Sequence, residues 1–141
     1  MAALTLSPQR NRLGLLFRTI RDGYFRTDHV VAFLRDLLRH VRGKVIVVWD
    51  GWNVHGAAAR QVASERLEAV RLPAYAPELN PVEQLWNRLK WGHLANAAPA
   101  DSKALHGQIL PLLKNATRDI LQLQSFWSGA KLPLHKLKLQ R

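Results

Sequence analysis

The spacing of apolar residues divides the chain into strands and helices that alternate. Weak alternation at residues 2–7 and an apolar run at residues 12–19 predict two strands joined by a hairpin turn. From residue 27 or 28, apolar side chains recur at helical spacing until Gly43 ends the helix. Residues 44–49 form a continuous, largely β-branched run, which is typical of a strand covered on both faces.

The second half of the chain continues this alternation. An alanine-rich stretch at residues 57–67 predicts a helix, and residues 69–72 predict a short strand. Residues 80–95 predict the next helix, which the chain enters through a proline-rich loop. A last helical region follows at residues 101–126, and we expect it to bend or split at Pro111.

The order of these elements predicts an α/β fold in which a mixed sheet is flanked by helices. In open sheets of this kind, functional groups gather at the carboxyl ends of the strands, and Asp50 stands at such an end. We expect one domain over residues 1–130, followed by a mobile basic tail at residues 131–141.

Composition limits the classes of function. Of the 141 residues, 48% are hydrophobic, as in an ordinary globular domain. The chain has no cysteine, which excludes disulfides and thiolate metal sites. It shows neither a signal pattern nor an apolar stretch of membrane length, so we expect a cytoplasmic protein with no membrane partner. A net charge of +11 favours a polyanionic partner, most simply DNA or RNA.

Two carboxylates stand at positions suited to a hard divalent cation. Asp50 ends a buried strand, and Glu83 lies in the first turn of the helix that begins at Asn80. Carboxylate oxygens bind Mg²⁺ or Mn²⁺, and a pair of such ions can clamp the attacking and leaving oxygens of an in-line displacement. The sequence offers no obvious third acid for this site.

Each candidate residue also has a purely structural interpretation. Asp50 precedes a glycine and can simply initiate a turn. Glu83 can fold back onto the Asn80 amide and complete a capping box. His55 can contact a metal-bound phosphate, orient a carboxylate or be an ordinary loop histidine. Lys90, near the Glu83 face of the helix, can contact a phosphate or remain solvated.

Two longer segments carry a specific pattern. They are VIVVWDGWNVH, which ends at His55, and LPAYAPELNPVEQLWNRLK, which ends at Lys90. Both closely resemble the DDE-type transposases of the Tc/mariner superfamily, and especially the bacterial insertion-sequence branch. The resemblance implies an RNase H-like catalytic domain in which three acids hold two Mg²⁺ (or Mn²⁺) ions. It assigns Asp50 as the second acid and Glu83 as the third.

Other positions follow the family pattern less closely. His55 matches a histidine that is common after the second acid, whereas Gly51 stands where the family often has Asn. The family's first acid lies on a strand upstream of the hairpin, and this chain opens with what resembles the second strand. The preceding helix-turn-helix region is missing as well. We therefore interpret the chain as a C-terminal transposase piece, from a truncated gene, a decayed element or the second frame of a frameshifted pair.

These observations support two main hypotheses. In the first, the chain is part of a transposase that cleaves DNA and transfers the strand, and it is weak or inactive alone because the first acid is absent. In the second, it is a non-catalytic module that binds DNA or associates with a full-length or upstream-frame transposase chain. An unrelated RNase H-like nuclease is a third alternative, which the segment Asn80-Pro81-Val82-Glu83 disfavours.

Overall fold

A computed structural model describes residues 1–7, 12–20 and 23–131 of the chain. These residues form two compact units. Residues 24–76 make up the first, which we call the central unit, and the segments on either side of it in the sequence make up the second, the terminal unit. The predicted hairpin turn beyond Ser7 and the predicted basic tail beyond Lys131 lie outside the described residues.

The described elements alternate much as the sequence predicted. In chain order they are β1 (Ala2–Ser7), β2 (Arg12–Phe17), α1 (Thr27–His40), β3 (Val45–Trp49), α2 (Asn53–Val62), β4 (Leu67–Arg71), a 3₁₀ turn (Pro77–Leu79), α3 (Pro81–Asn87), a π-helical segment (Arg88–His93), α4 (Ser102–Ala116) and α5 (Ile120–Gly129). None of these helices is long and apolar enough to cross a membrane.

The strands pair in two separate sets within the described residues. β1 and β2 are antiparallel and belong to the terminal unit, whereas β3 and β4 are parallel and belong to the central unit. The predicted α/β class is therefore confirmed. A single RNase H-like mixed sheet that lacks its first strand stays a prediction, because the two strand pairs lie in different compact units.

The terminal unit is built around one hydrophobic core that fixes α3. Its buried side chains come from β2, α3, the π-helical segment, α4 and α5: Leu13, Leu15, Leu85, Leu89, Leu113, Ala116, Leu123 and Phe126. Burying one leucine side chain contributes about 1.5–3 kcal/mol. Leu85 and Leu89 therefore anchor the helix that carries Glu83.

The central unit is built from α1 and α2 and the parallel strand pair. Helix α1 buries the apolar face that its spacing predicted: Val30, Val31, Phe33, Leu34 and Leu37. Within this unit, helices cover only one face of the strands, because Val45 is buried while Ile46 and Val48 are exposed. Within the central unit, helices therefore do not cover both faces of β3, contrary to the prediction from its apolar run.

Helix α2 occupies different residues from those predicted. It runs from Asn53 to Val62 rather than over residues 57–67. It begins early because Asp50 Oδ1 accepts the N–H of Trp52 at 3.1 Å and turns the chain directly after β3. It ends early because Ala63 adopts a left-handed conformation with φ of 39°.

The two later helical predictions also need correction. The helix predicted over residues 80–95 keeps α geometry only to Asn87 and continues as the π-helical segment. The last helical region does not split at Pro111, because α4 continues through that residue to Ala116. The break follows Ala116, where Asp119 Oδ1 accepts the N–H of Gln122 at 2.9 Å and begins α5.

Candidate metal and DNA site

Asp50 lies at the carboxyl end of β3 and combines a structural role with an exposed carboxylate. Its Oδ1 accepts the N–H of Trp52 and lies 2.9 Å from Nδ1 of His55. The side chain is 64% exposed, and Oδ2 has no hydrogen-bond or ion-pair partner in the described part of the chain. The turn interpretation is therefore correct, yet it leaves one carboxylate oxygen free to bind a cation.

His55 is held beside Asp50 by two aromatic side chains. Its ring stacks on Trp49, with 4.8 Å between centroids and 10° between planes, and meets Trp52 edge-on at 5.3 Å. Only 14% of the His55 side chain is exposed. Of its three interpretations, these contacts favour the one in which His55 orients the carboxylate.

The contact between His55 and Asp50 is short but not a well-aligned hydrogen bond. The two atoms are 2.9 Å apart, yet the buried Nδ1 has no hydrogen-bond partner in the correct orientation among the described residues. A small rotation of either side chain would align the bond once Nδ1 carries the proton. The contact limits how far the Asp50 carboxylate can rotate.

Glu83 lies in the first turn of α3, in the terminal unit, and its carboxylate is not used to cap the helix. Asn80 Oδ1 accepts the N–H of Val82 at 3.1 Å, and Pro81 occupies the first helical position. The Asn80 N–H donates to the carbonyl of Pro77 at 3.0 Å rather than to Glu83. The capping-box interpretation is therefore wrong. Within the described residues the Glu83 carboxylate has no hydrogen-bond or ion-pair partner, so it remains available for a cation.

The donor atoms suit a hard divalent cation, although the set is small. Asp50 and Glu83 each present a carboxylate oxygen without a protein partner, and Mg²⁺ and Mn²⁺ prefer such ligands. No group of three or more His, Asp or Glu side chains that could hold a metal ion occurs in the described ranges. Because the two acids lie in different compact units, their convergence on one ion stays a prediction.

Lys90 lies in the π-helical segment and contacts the neighbouring aromatic ring. Its Nζ is 4.8 Å from the centroid of Trp91, which is itself largely exposed. A π-helix has more residues per turn than an α-helix. Lys90 therefore does not keep the α-helical spacing from Glu83 on which its predicted position depended. Its contact with a phosphate stays a prediction.

Arg71 is a residue of this site that the sequence did not reveal. It ends β4 directly opposite Trp49, so it stands at the same edge of the strand pair as Asp50. Its guanidinium lies over Gly51, where an added Cβ would come within 2.5 Å of Nε and 2.6 Å of Cζ. The sequence shows a basic residue at the last position of the second parallel strand. Only the pairing register places this residue at the same end of the strand pair as Asp50.

The fold and these side chains define a class of protein: a basic α/β protein in which Asp50 and Glu83 each keep a carboxylate oxygen without a protein partner among the described residues. The sequence profile described as DDE superfamily endonuclease matches residues 5–106, which include both acids, and the chain belongs to this family. No curated protein and no solved structure matches the chain significantly. The predicted DDE transposase-like family is thereby confirmed, and so is the expectation that DNA is the substrate, because the family implies it.

Proposed function

We propose that this chain is part of a Tc/mariner-type transposase of the bacterial insertion-sequence branch, acting on DNA in the cytoplasm. The observation that carries the proposal is the family match across both acids, together with a Glu83 carboxylate that has no structural partner among the described residues. Water would attack a phosphodiester in line, forming a new P–O bond and releasing a 3′-hydroxyl. That hydroxyl would attack the target strand in a second in-line transfer, displacing the target's own 3′-oxygen.

The side chains have separate roles in this proposal. Asp50 and Glu83 would hold two Mg²⁺ or Mn²⁺ ions, which would supply Lewis-acid stabilisation of the attacking and leaving oxygens. His55 limits the rotation of the Asp50 carboxylate through its 2.9 Å contact. Lys90 neutralises a DNA phosphate. The aromatic contacts that hold His55 keep the Asp50 carboxylate in place before the substrate arrives. The Glu83 carboxylate, which has no partner among the described residues, is available to a metal ion.

We further propose that the chain by itself is a weak catalyst. Only two acids of this sequence match the family's three positions, and two carboxylates at one site repel each other without a full complement of ions. As a partner, a full-length or upstream-frame transposase chain would contribute a third acid. Robust Mg²⁺-dependent nicking by the purified chain, abolished in Asp50→Ala, would contradict this part of the proposal.

Mn²⁺ binding tests whether the two acids share a site. Asp50→Asn and Glu83→Gln should each weaken Mn²⁺ binding by about tenfold or more, since even changes outside the ligand set typically cost 10–100-fold. If both acids hold the same ions, the double variant should lose much less than the product of the single losses. Independent losses would show separate sites. Glu65→Gln and Glu78→Gln, which alter exposed acids of the central and terminal units, serve as matched controls.

A non-catalytic role is the second candidate, and the net charge of +11 favours it. In this case the chain would bind duplex DNA equally well with or without divalent ions, and Asp50→Asn would not change the affinity. Co-expression would then lower the activity of a complete relative by occupying its DNA or its protein partner. Unchanged transposition on co-expression would remove that idea.

A further inference from the structure

We propose that Arg71 binds a phosphate of the DNA next to Asp50, an inference that rests on the proposed function and adds a residue to its site. The two positions are fixed relative to each other by backbone pairing. β3 and β4 run parallel with Trp49 opposite Arg71, and the N–H of Leu72 donates to the carbonyl of Trp49 at 2.7 Å. Asp50 and Arg71 therefore leave the strand pair at the same edge.

The Arg71 guanidinium is not engaged in structural contacts. In the described part of the chain, the Arg71 side chain forms no hydrogen bond or ion pair, and it lies on the exposed surface. Two other arginines of the central unit differ in this respect: Arg66 donates to three backbone carbonyls, and Arg39 pairs with Asp36 at 2.7 Å. Arg71 thus keeps its N–H donors available for a ligand.

Gly51 provides the space that the guanidinium occupies. A Cβ at this position would come within 3 Å of three guanidinium atoms, so even alanine would displace the arginine. The backbone of Gly51 is not in the left-handed region that favours glycine, and the requirement there is the absence of a side chain. Gly51 and Arg71 therefore act as a pair that places the positively charged guanidinium beside Asp50.

This arrangement suits a phosphodiester better than another anion. A guanidinium presents its donors in a planar fork that matches two phosphate oxygens, and a single fork on an exposed surface gains most from an extended polyanion that brings further charges. Asp50 does not neutralise Arg71, because no ion pair joins them within 4.0 Å. The Asp50 carboxylate can therefore bind a metal cation while the Arg71 guanidinium binds the phosphate that the same cation contacts.

The test measures DNA binding and the Arg71 side chain together, with the full chain and a short random-sequence duplex. Arg71→Ala should lower the affinity about fivefold or more and should reduce the slope of log K against log salt by about 1, as expected for one lost phosphate contact. Arg71→Lys should restore the slope but only part of the affinity. Arg60→Ala, which removes an exposed arginine further along the same unit, should change affinity by less.

Gly51→Ala supplies an independent arm, because it displaces the guanidinium without removing its charge. It should weaken binding in the wild-type chain but have no further effect in the Arg71→Ala background. In ¹⁵N-labelled protein, the Arg71 Nε–Hε resonance should shift when the duplex is added. Thermal melts of each variant separate these effects from unfolding.

Each outcome is decisive. If the duplex binds and shifts other basic side chains, but Arg71 neither shifts nor affects affinity, the Arg71 assignment is overturned while the DNA function stands. If the wild-type chain does not bind duplex DNA at any salt concentration, both proposals fail. A loss confined to Arg71→Ala, with no effect of Gly51→Ala, would contradict the paired role of Gly51.

Discussion

At Asp50, one side chain does two things at the atomic scale. Oδ1 shapes the turn into α2 by accepting the Trp52 N–H, and Oδ2 has no partner among the described residues. The structural and functional interpretations of this residue are therefore not exclusive. Glu83 presents the opposite case, because Asn80 caps α3 without it and the acid has no structural task in the described structure.

The contact between His55 and Asp50 leads to a first prediction. His55→Ala should weaken Mn²⁺ binding by about tenfold, the lower end for a group that orients a ligand, because the Asp50 carboxylate would keep only its contact with the Trp52 N–H. His55→Asn should restore part of the affinity, since its amide can donate to Oδ1. Isothermal titration with Mn²⁺ measures this, with His40→Ala as a control at an exposed histidine. Equal losses in the Ala and Asn variants would show that His55 only fills space.

Arg66 leads to a prediction about stability. Its guanidinium donates to the carbonyls of Leu38, Val41 and Gly43 at 3.1, 2.6 and 2.9 Å, and so satisfies the end of α1. Arg66→Ala should lower the free energy of unfolding by about 1.5–3 kcal/mol, the usual contribution of a hydrogen bond to a charged group, with exposure holding it near the lower end.

Denaturant unfolding of Arg66→Ala should be compared with that of Arg35→Ala, which removes an exposed arginine from α1. Arg66→Lys should fall between wild type and Ala, because an ammonium cannot reach three diverging carbonyls as a planar fork can. If the two Ala variants were equally stable, the three hydrogen bonds of Arg66 would contribute nothing to the free energy of unfolding.

At the scale of elements, short polar contacts rather than apolar spacing set the ends of the helices. Asn80 caps α3 and Asp119 caps α5, whereas Asp50 turns the chain just before α2, whose cap position is Trp52. In each case a carboxylate or amide oxygen accepts a backbone N–H. Loss of such a contact should affect the first turn most. For α3, the first turn carries Glu83.

The cap of α3 gives a prediction at this scale. Asn80→Ala should lower the free energy of unfolding by about 1 kcal/mol, because it leaves the Val82 N–H without its acceptor. Asn80→Asp should be nearly neutral, since Asp caps equally well. Thermal melts of the three chains check this, and hydrogen exchange at Val82 and Glu83 should accelerate only in the Ala variant. An unchanged melt for Asn80→Ala would show that Pro81 alone starts the helix.

The elements also show how far the sequence can be interpreted and where it stops. The apolar repeat of α1 is strong and the alternation of the first strand is weak, yet the structure contains α1, β1 and β2 with small changes at the ends. Alanine-rich residues around Ala57 favour a helix but do not mark its start, which depends on the contact between Asp50 and Trp52. The π-helical segment and the placement of Arg71 depend on tertiary packing and strand register, which no local pattern records.

At the scale of the whole molecule, the two compact units divide the candidate acids between them. Asp50 belongs to residues 24–76, and Glu83 belongs to the unit formed by the flanking segments. In the proposed function, one set of cations couples the two acids. This coupling is what the double variant in Mn²⁺ binding measures, since only a common ion makes the two losses non-additive.

The excess of basic residues gives the last prediction. With 21 lysines and arginines against 10 acids, the chain should bind duplex DNA mainly through phosphates, whichever function is correct. Log K should fall linearly with log salt, with a slope of about −0.9 for each phosphate neutralised, and the fall should be the same for duplexes of unrelated sequence. Fluorescence anisotropy from about 50 to 200 mM salt would measure it. Affinity that did not change with salt would show that the basic charge binds another partner. Tighter binding of one sequence at an unchanged slope would point to base recognition in addition to the phosphate contacts.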